Sequence, residues 1–206
     1  MFRRTASVLL VLTVLGCPVA AEPILWSLDE GGNDHCYEPI IVSGGITWNA
    51  ANDAAIAAGG HLATITSAAE MDFVFSLVNS QAYWNHPGPG HSNYGPWLGG
   101  FQPAGSPEPE GNWQWVTGEL FDYTNWATDQ PNESQNANED SIHLWASGGG
   151  TPPPPRPVWN DLPAIGSAAA QPVSYVVEYV PEPSTLGLLA MAVVGLFVYR
   201  LRRRCS

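Results

Sequence analysis

The spacing of apolar residues in the first half of the chain predicts two helices. Residues 48–58 are rich in alanine and stop at Gly59-Gly60, a pair typical of a helix C-terminus. A second helix is predicted after Ser67, whose hydroxyl can cap the third amide while Glu70 reaches back. Its apolar positions follow the i, i+3, i+4, i+7 spacing of an amphipathic helix: Met71, Val74, Phe75 and Val78. The second helix is therefore expected to bury one face.

Short apolar and β-branched runs separated by turn residues predict strands around these helices. The predicted strands are 40–42, 62–65, 97–100, 113–118, 142–145, 158–159 and 173–179. Consecutive prolines at 152–155 cannot continue a strand ladder, so they predict a loop between the fifth and sixth of these strands. Two early helices followed by many short strands indicate an α+β fold.

The N-terminus has the layout of a secretory signal peptide. Arg3 and Arg4 precede a short apolar stretch at 8–15, and small residues lead to Ala21. This predicts a signal peptide of residues 1–21, cut after Ala21 by signal peptidase. A transmembrane anchor is disfavoured because the apolar stretch is too short to span a bilayer. A lipoprotein signal ending at Cys17 is the other alternative.

The C-terminus carries a second targeting pattern. Pro181-Glu182-Pro183 is followed by an apolar segment at 186–199, predicted to be a helix, and by the basic tail 200–206. Residues 181–206 thereby resemble the PEP-CTERM sorting signal of Gram-negative bacteria. The resemblance implies processing by an exosortase-type enzyme, transient anchoring of the helix in the inner membrane, and delivery to the cell surface or extracellular matrix. An ordinary membrane anchor is the alternative.

The remaining segment, residues 22–180, is expected to form one domain. All 19 acidic residues lie within 22–182, where Arg156 is the sole basic side chain, so the formal charge there is about −18. Such a surface repels phosphates, which excludes a nucleic-acid partner. Cys36 is the only cysteine in this segment, so no intramolecular disulfide is possible. A buried inert thiol and an intermolecular bridge both stay open.

Three separated fragments supply oxygen-bearing side chains. They are Gln130-Pro131-Asn132, Glu139-Asp140 and Trp159-Asn160-Asp161. Amide and carboxylate oxygens are the ligands that Ca²⁺ prefers in proteins. Brought together, these fragments would form a calcium site.

The same fragments stand in a longer series of motifs that resembles the C-type lectin-like family. The motifs are Trp48-x-x-Ala51, Gly59-Gly-His-Leu-Ala-Thr-Ile65, Trp97-Leu-Gly-Gly100, Trp115-Val-Thr-Gly-Glu119, Tyr123-Thr-Asn-Trp126, the three fragments above, and Val176-Val-Glu-Tyr179. The resemblance spans about 34–179. It implies two helices, small antiparallel sheets and long loops.

The chain departs from the family pattern in its cysteines. Ala55 and Val177 stand where the outer disulfide is expected, and Ser141 and Ala164 stand where the inner one is expected. Loss of such bridges costs roughly 2–5 kcal/mol each. Bound calcium is therefore expected to matter more for folding here than in a bridged relative.

The resemblance implies that the same residues bind calcium and carbohydrate. These residues are Gln130, Asn132, Glu139, Asn160 and Asp161. It also implies a cis peptide bond before Pro131. Gln-Pro-Asn mixes the tripeptides associated with mannose-type and galactose-type ligands, so the sugar stays open. Glu133 and Asp140 are either an auxiliary calcium site or a solvated acidic loop.

The sequence thus predicts a calcium-dependent lectin that binds a cell-surface or matrix polysaccharide. A protein–protein or matrix-structural module of the same fold, with calcium structural or absent, is the alternative. No nucleophile–base pair and no phosphate-binding loop is visible in the sequence, so an enzyme is not expected. Nothing in the sequence indicates the oligomeric state.

Overall fold

A computed structural model describes residues 22–132, 138–147, 152–165 and 170–181. The predicted signal peptide and the segment 182–206, with its predicted apolar helix, lie outside the described residues. The strands are β1 Ile24–Leu25, β2 Cys36–Ile41, β3 His61–Leu62, β4 Asn93–Phe101, β5 Gln114–Trp115, β6 Ser141–Ala146, β7 Val158–Leu162 and β8 Ser174–Tyr179. The helices are α1 Trp48–Ala57 and α2 Ala68–Val78, with 3₁₀ turns at Leu28–Glu30 and Gln81–Tyr83.

Helix α1 forms where its alanine-rich sequence predicts. The hydroxyl of Thr47 accepts a hydrogen bond from the amide of Ala50 at 3.2 Å, which caps the N-terminus. The helix stops before Gly59, whose φ of 86° is the left-handed conformation that favours glycine. Trp48 and the small side chains of Ala51 and Ala55 are buried against the sheet.

Helix α2 begins at the predicted capping residue, but the second half of the capping box differs. Ser67 Oγ accepts a hydrogen bond from the amide of Glu70 at 3.1 Å, as expected. The Glu70 carboxylate instead accepts from the amide of Thr66 at 2.7 Å, one residue beyond the cap. Met71, Val74 and Val78 are buried and Phe75 is half-buried, so the predicted apolar face does pack on the core.

The eight strands form one mixed sheet. Its order is β1-β2-β8-β4-β6-β7, with β3 paired to β8 and β5 paired to β4. All pairs are antiparallel except β4 and β8, which meet in parallel at Trp97 and Tyr175. The predicted α+β fold with two helices is confirmed, while the expected small antiparallel sheets are joined into a single sheet by that parallel contact.

Apolar and hydrogen-bonded contacts occupy the positions where disulfides were expected. Ala55 and Val177 are both buried in one apolar cluster with Trp48, Leu62 and Trp97. At the other position, Asp140 Oδ1 accepts hydrogen bonds from Ser141 Oγ at 3.1 Å and from the amide of Ala164 at 3.0 Å. Cys36 is a free, half-buried thiol. The carboxylate of Asp140 thus links two segments that lack a bridge.

A buried polar cluster connects strand β2 to α2 and β8. Tyr37 donates to Glu70 Oε1 at 2.5 Å and lies 3.2 Å from Glu178 Oε1. His35 Nδ1 lies 2.6 Å from the same Glu178 oxygen, and the amide of Thr64 donates to its other oxygen at 2.9 Å. Burial raises the pKa of Glu70. These contacts satisfy carboxylates that would otherwise destabilise the core.

Candidate functional site

The β6–β7 pair positions three of the five predicted site residues. His143 pairs with Asn160 and Ile142 pairs with Asp161 across the two strands. Glu139 lies two residues before β6 and is 7% exposed. Asn160 and Asp161 are therefore held by strand geometry at one edge of the sheet, and Glu139 lies in the segment that leads into β6.

Backbone hydrogen bonds bring the preceding loop to the same place. The amide of Trp159 donates to the carbonyl of Asn125, and the amide of Ala127 donates back to Trp159, each at 2.9 Å. Trp159 is fully buried. The loop is thus anchored along β7, a few residues before Gln130.

Gln130 and Asn132 lie on either side of a cis peptide bond at Pro131, as the family resemblance implies. Asn132 Nδ2 donates to Gln130 Oε1 at 2.8 Å and to the carbonyl of Asp129 at 3.0 Å. The backbone amide of Asn132 donates to Asp161 Oδ2 at 2.9 Å. The tripeptide is therefore bonded directly to β7.

Four of the predicted residues line one pocket of about 160 Å³. They are Gln130, Asn132, Glu139 and Asn160. Tyr94 lines the same pocket, and burial together with the charge of Glu139 raises the pKa of its hydroxyl. The fifth residue, Asp161, lies beside this pocket through its bond to Asn132. The tertiary structure thus brings together oxygens that the sequence separates by up to 31 positions.

Asp161 is the most constrained residue of the group. Its side chain is fully buried, and its Oδ1 has no hydrogen-bond partner among the described residues. Burial raises its pKa to about 7, and the nearby charges of Glu139 and Glu108 act in the same direction. Buried carboxylate oxygens without a partner are rare in folded proteins because their desolvation is costly. Among the five predicted residues, this is the buried oxygen that the described contacts leave unsatisfied.

His143 completes the environment of Asn160 and was not predicted. Its ring is fully buried, and burial lowers its pKa to about 3, so it is neutral. Asn160 Nδ2 lies 3.1 Å from His143 Nε2 and also donates to the carbonyl of Asp161. The signal in the sequence was a lone histidine within the apolar strand 142–145.

Glu108 was also missed, and no local pattern marks it. It lies in the loop after β4, and its charge is close enough to contribute to the raised pKa of Asp161. Glu108 and Glu139 thus come from two other segments of the chain, and the charges of both raise the pKa of Asp161. Such a concentration of negative charge favours a bound cation.

The donor set fits calcium better than a softer metal. Within the described residues, no group of three or more His, Cys, Asp or Glu side chains is arranged to hold a metal ion. The five predicted residues differ from such a group, because three of them are amides. Amide and carboxylate oxygens with no sulfur or imidazole ligand are the chemistry of Ca²⁺. The partnerless Asp161 Oδ1 agrees with that assignment.

Comparison with protein families identifies two segments. Residues 45–151 match the sequence profile described as "Lectin C-type domain", and residues 180–204 match the "PEP-CTERM protein-sorting motif". The first match spans more than half of the chain and most of the described fold. In the part of the chain that the structure describes, no helix is long and apolar enough to cross a membrane.

A curated relative shows the same likeness over a shorter segment. The chain is 34% identical over 70 residues to regenerating islet-derived protein 3-gamma of Rattus norvegicus, which covers 34% of this chain and 36% of that protein. Across the curated relatives that it matches, the aligned segment spans at most 40% of the relative's own length.

Solved structures share the fold over most of their length. C-type lectin CEL-I of Cucumaria echinata is 25% identical, with a TM-score of 0.51 over 81% of this chain and 99% of that one. A calcium-independent type II antifreeze protein is 21% identical, with a TM-score of 0.51 over 80% of this chain and 95% of that one. The fold of this chain is thus similar both to that of a lectin and to that of a calcium-independent antifreeze protein.

Proposed function

Because the chain belongs to the C-type lectin domain family, we propose that it is an exported protein that binds carbohydrate through calcium. The observation that carries this proposal is the buried Asp161 Oδ1, which has no hydrogen-bond partner beside a pocket lined by amide and carboxylate groups. That oxygen supports a bound cation, which the sugar hydroxyls would share.

Each residue has a defined task in this proposal. Gln130, Asn132 and Asn160 offer amide oxygens, while Glu139 and Asp161 offer carboxylates. Bound Ca²⁺ supplies coordination positions that two neighbouring sugar hydroxyls complete. The side chains also contact those hydroxyls, because amide nitrogens donate hydrogen bonds and carboxylate oxygens accept them.

The orientation of Asn160 supports this role. Its Nδ2 is engaged by His143 and by the carbonyl of Asp161, so Oδ1 is the atom left for a cation. Asn132 Nδ2 donates to Gln130 Oε1 at 2.8 Å. That bond holds the two amides together, and calcium binding would require this pair to adjust.

The sorting motif supports a proposal about the processing and location of the protein. We propose that residues 1–21 are removed by signal peptidase, that 22–180 form the mature domain, and that 181–206 serve exosortase sorting. A binding domain delivered to the surface of a Gram-negative bacterium would meet surface or matrix polysaccharide. Mass spectrometry of the secreted protein tests this, with an N-terminus at Glu22 and an end near Pro181 expected. A secreted chain that keeps residues 186–206 would contradict it.

Retention on immobilised monosaccharides tests the lectin function. The wild type is expected to be retained in millimolar calcium and released by a chelator, and Asn132→Ala is expected to lose retention. Asn79→Ala, an exposed asparagine at the end of α2, is the matched control and should behave like the wild type. Retention that survives both the chelator and Asn132→Ala would place the sugar site elsewhere.

The same experiment distinguishes the lectin function from the alternative, a protein-binding or matrix-structural module of the same fold. If calcium raises the thermal stability while no sugar is retained, the site serves to rigidify the loops of a protein-binding or matrix module. The fold is similar to that of a calcium-independent antifreeze protein, and one fold can serve several functions. Both outcomes therefore have to be measured.

A further inference from the structure

A second and larger pocket opens directly beside the predicted calcium pocket. It has a volume of about 480 Å³, within the ~300–1,000 Å³ typical of ligand sites. Gln130 lines both pockets, so a ligand bound in one pocket lies close to the other. We call this second pocket the aromatic pocket, after Trp113, Phe121 and Trp126, which line it.

The rings of the aromatic pocket are packed into a fixed arrangement. The ring centroids of Trp113 and Trp126 lie 4.9 Å apart, and those of Trp113 and Phe121 lie 6.4 Å apart. Trp126 also meets the buried ring of Trp159 at 5.6 Å, almost at a right angle. Since these contacts hold the rings in place, the pocket is formed before any ligand arrives, which lowers the entropic cost of binding.

Polar groups surround the rings at the mouth of the pocket. Glu110, Asn112 and Thr124 are exposed there and offer both donors and acceptors of hydrogen bonds. A pyranose ring has matching chemistry, because one face presents C–H groups and its edge presents hydroxyls. The C–H groups are attracted to the electron-rich face of an aromatic ring.

The negative charge around the aromatic pocket disfavours acidic sugars as ligands. Glu110 lines the pocket, and no Lys or Arg is among the lining residues. Residues 22–182 carry 18 more acidic side chains than Lys and Arg side chains. A uronic acid or a sulfated sugar would be repelled there, whereas a neutral sugar would not.

We propose that the aromatic pocket is a subsite for a second sugar residue, so that the ligand is a neutral oligosaccharide rather than a single sugar. The inference rests on the proposed function, because the first sugar is the one bound in the calcium pocket. It adds that the ligand runs past Gln130 and places its next residue against the partly exposed rings of Trp126 and Phe121, which pack on the buried Trp113.

Isothermal titration calorimetry tests this subsite by comparing the affinities of a monosaccharide and of longer sugars from the same series. The probes are methyl α-mannoside and methyl β-galactoside, each with the corresponding disaccharide and trisaccharide, in 10 mM calcium. Contacts with an aromatic ring predict that the longer sugar of the preferred series binds about tenfold more tightly than the monosaccharide. Thr124→Trp, which fills the exposed mouth of the aromatic pocket, should remove this gain and leave the monosaccharide affinity unchanged.

Thr128→Trp is the matched control. Thr128 is also exposed, but it lines a different pocket, so the oligosaccharide gain should persist. Thermal unfolding of both variants checks that the bulky side chain has not disturbed the fold. Equal affinity for monosaccharide and oligosaccharide in the wild type overturns the subsite, as does a gain that Thr124→Trp leaves intact.

The outcomes also distinguish this inference from the proposed function. Calcium-dependent binding without an oligosaccharide gain overturns the subsite and supports the lectin. A gain that Thr124→Trp removes, but that a chelator does not affect, supports the subsite and overturns the role of calcium. Absence of binding to every probe in both series overturns both.

Discussion

The side-chain nitrogen of Asn160 lies 3.1 Å from Nε2 of His143, where β6 and β7 pair in the buried end of the sheet. Burial lowers the pKa of His143 to about 3, so the imidazole is neutral and can accept this hydrogen bond. The bond holds the amide nitrogen of Asn160 in the core. The amide oxygen is thereby left for the predicted calcium pocket, which Asn160 lines.

His143→Phe should weaken calcium binding without unfolding the domain. Phenylalanine keeps a ring between Tyr94 and Trp97, whose centroids lie 5.8 Å and 5.7 Å from that of His143, but removes the acceptor for Asn160. Loss of such a supporting contact typically lowers metal affinity by about 10–100-fold. Calcium titration calorimetry measures the change, and an unaltered calcium affinity would show that His143 does not orient Asn160.

Calcium should stabilise the domain through Glu139. For a dissociation constant of roughly 10⁻⁴–10⁻³ M, 10 mM calcium contributes about 1.4–2.7 kcal/mol to the free energy of unfolding. That corresponds to a rise in Tm of about 3–10 °C for a domain of this size. Glu139→Gln should abolish the rise because it removes a carboxylate that lines the pocket.

Asp122→Asn is the control for this charge removal. Asp122 is an exposed acid of the preceding loop and does not line the calcium pocket, so its variant should keep the full rise in Tm. Equal loss of the rise in both variants would mean that calcium acts through the overall negative charge rather than at this site.

Asp161→Asn should stabilise the calcium-free protein at pH 8. Burial raises the pKa of Asp161 to about 7, whereas an unfolded aspartate ionises near 3.9. Between these values the unfolded state binds fewer protons, so the stability of the calcium-free protein falls as pH rises from about 4 to 7. Removing the charge should recover on the order of 1–3 kcal/mol at pH 8 and little at pH 4.

Urea unfolding in a chelator measures this difference at the two pH values. In 10 mM calcium the difference between the variant and the wild type should shrink, since only the wild type retains the carboxylate that the ion needs. A variant less stable than the wild type at pH 8 in chelator would show that Asp161 is not an unfavourable buried charge.

A disulfide placed at Ala55 and Val177 should stabilise the domain. Both residues lie against Gly60: its amide donates to the carbonyl of Ala55 at 3.0 Å, and a Cβ added to it would come within 2.8 Å of Val177 Cγ1. The double variant Ala55→Cys/Val177→Cys closes a long loop, for which a gain of about 2–4 kcal/mol is typical. Urea unfolding with and without reductant measures the gain.

The two single cysteine variants serve as controls and should show no effect of reductant. If the double variant forms the bridge but is no more stable when oxidised, the apolar contact of Ala55 and Val177 already restrains the chain as well as a disulfide would.

Local patterns account for the parts of the fold that the sequence predicted well. The ends of α1 and α2 follow from caps at Thr47 and Ser67, which are interactions between near neighbours in the chain. Strand β4, by contrast, runs from Asn93 to Phe101, well beyond the predicted 97–100. Its extension depends on pairing with β6, which lies some 45 positions away.

The sequence by itself predicted the family, the two helices and five candidate site residues, because motif order and capping depend on residues that are close together in the chain. Only the tertiary structure decided that His143 contacts Asn160, that Glu108 adds charge near Asp161, and that Gln130 lines the aromatic pocket. Burial and electrostatic proximity depend on contacts between distant segments, and no local pattern encodes them.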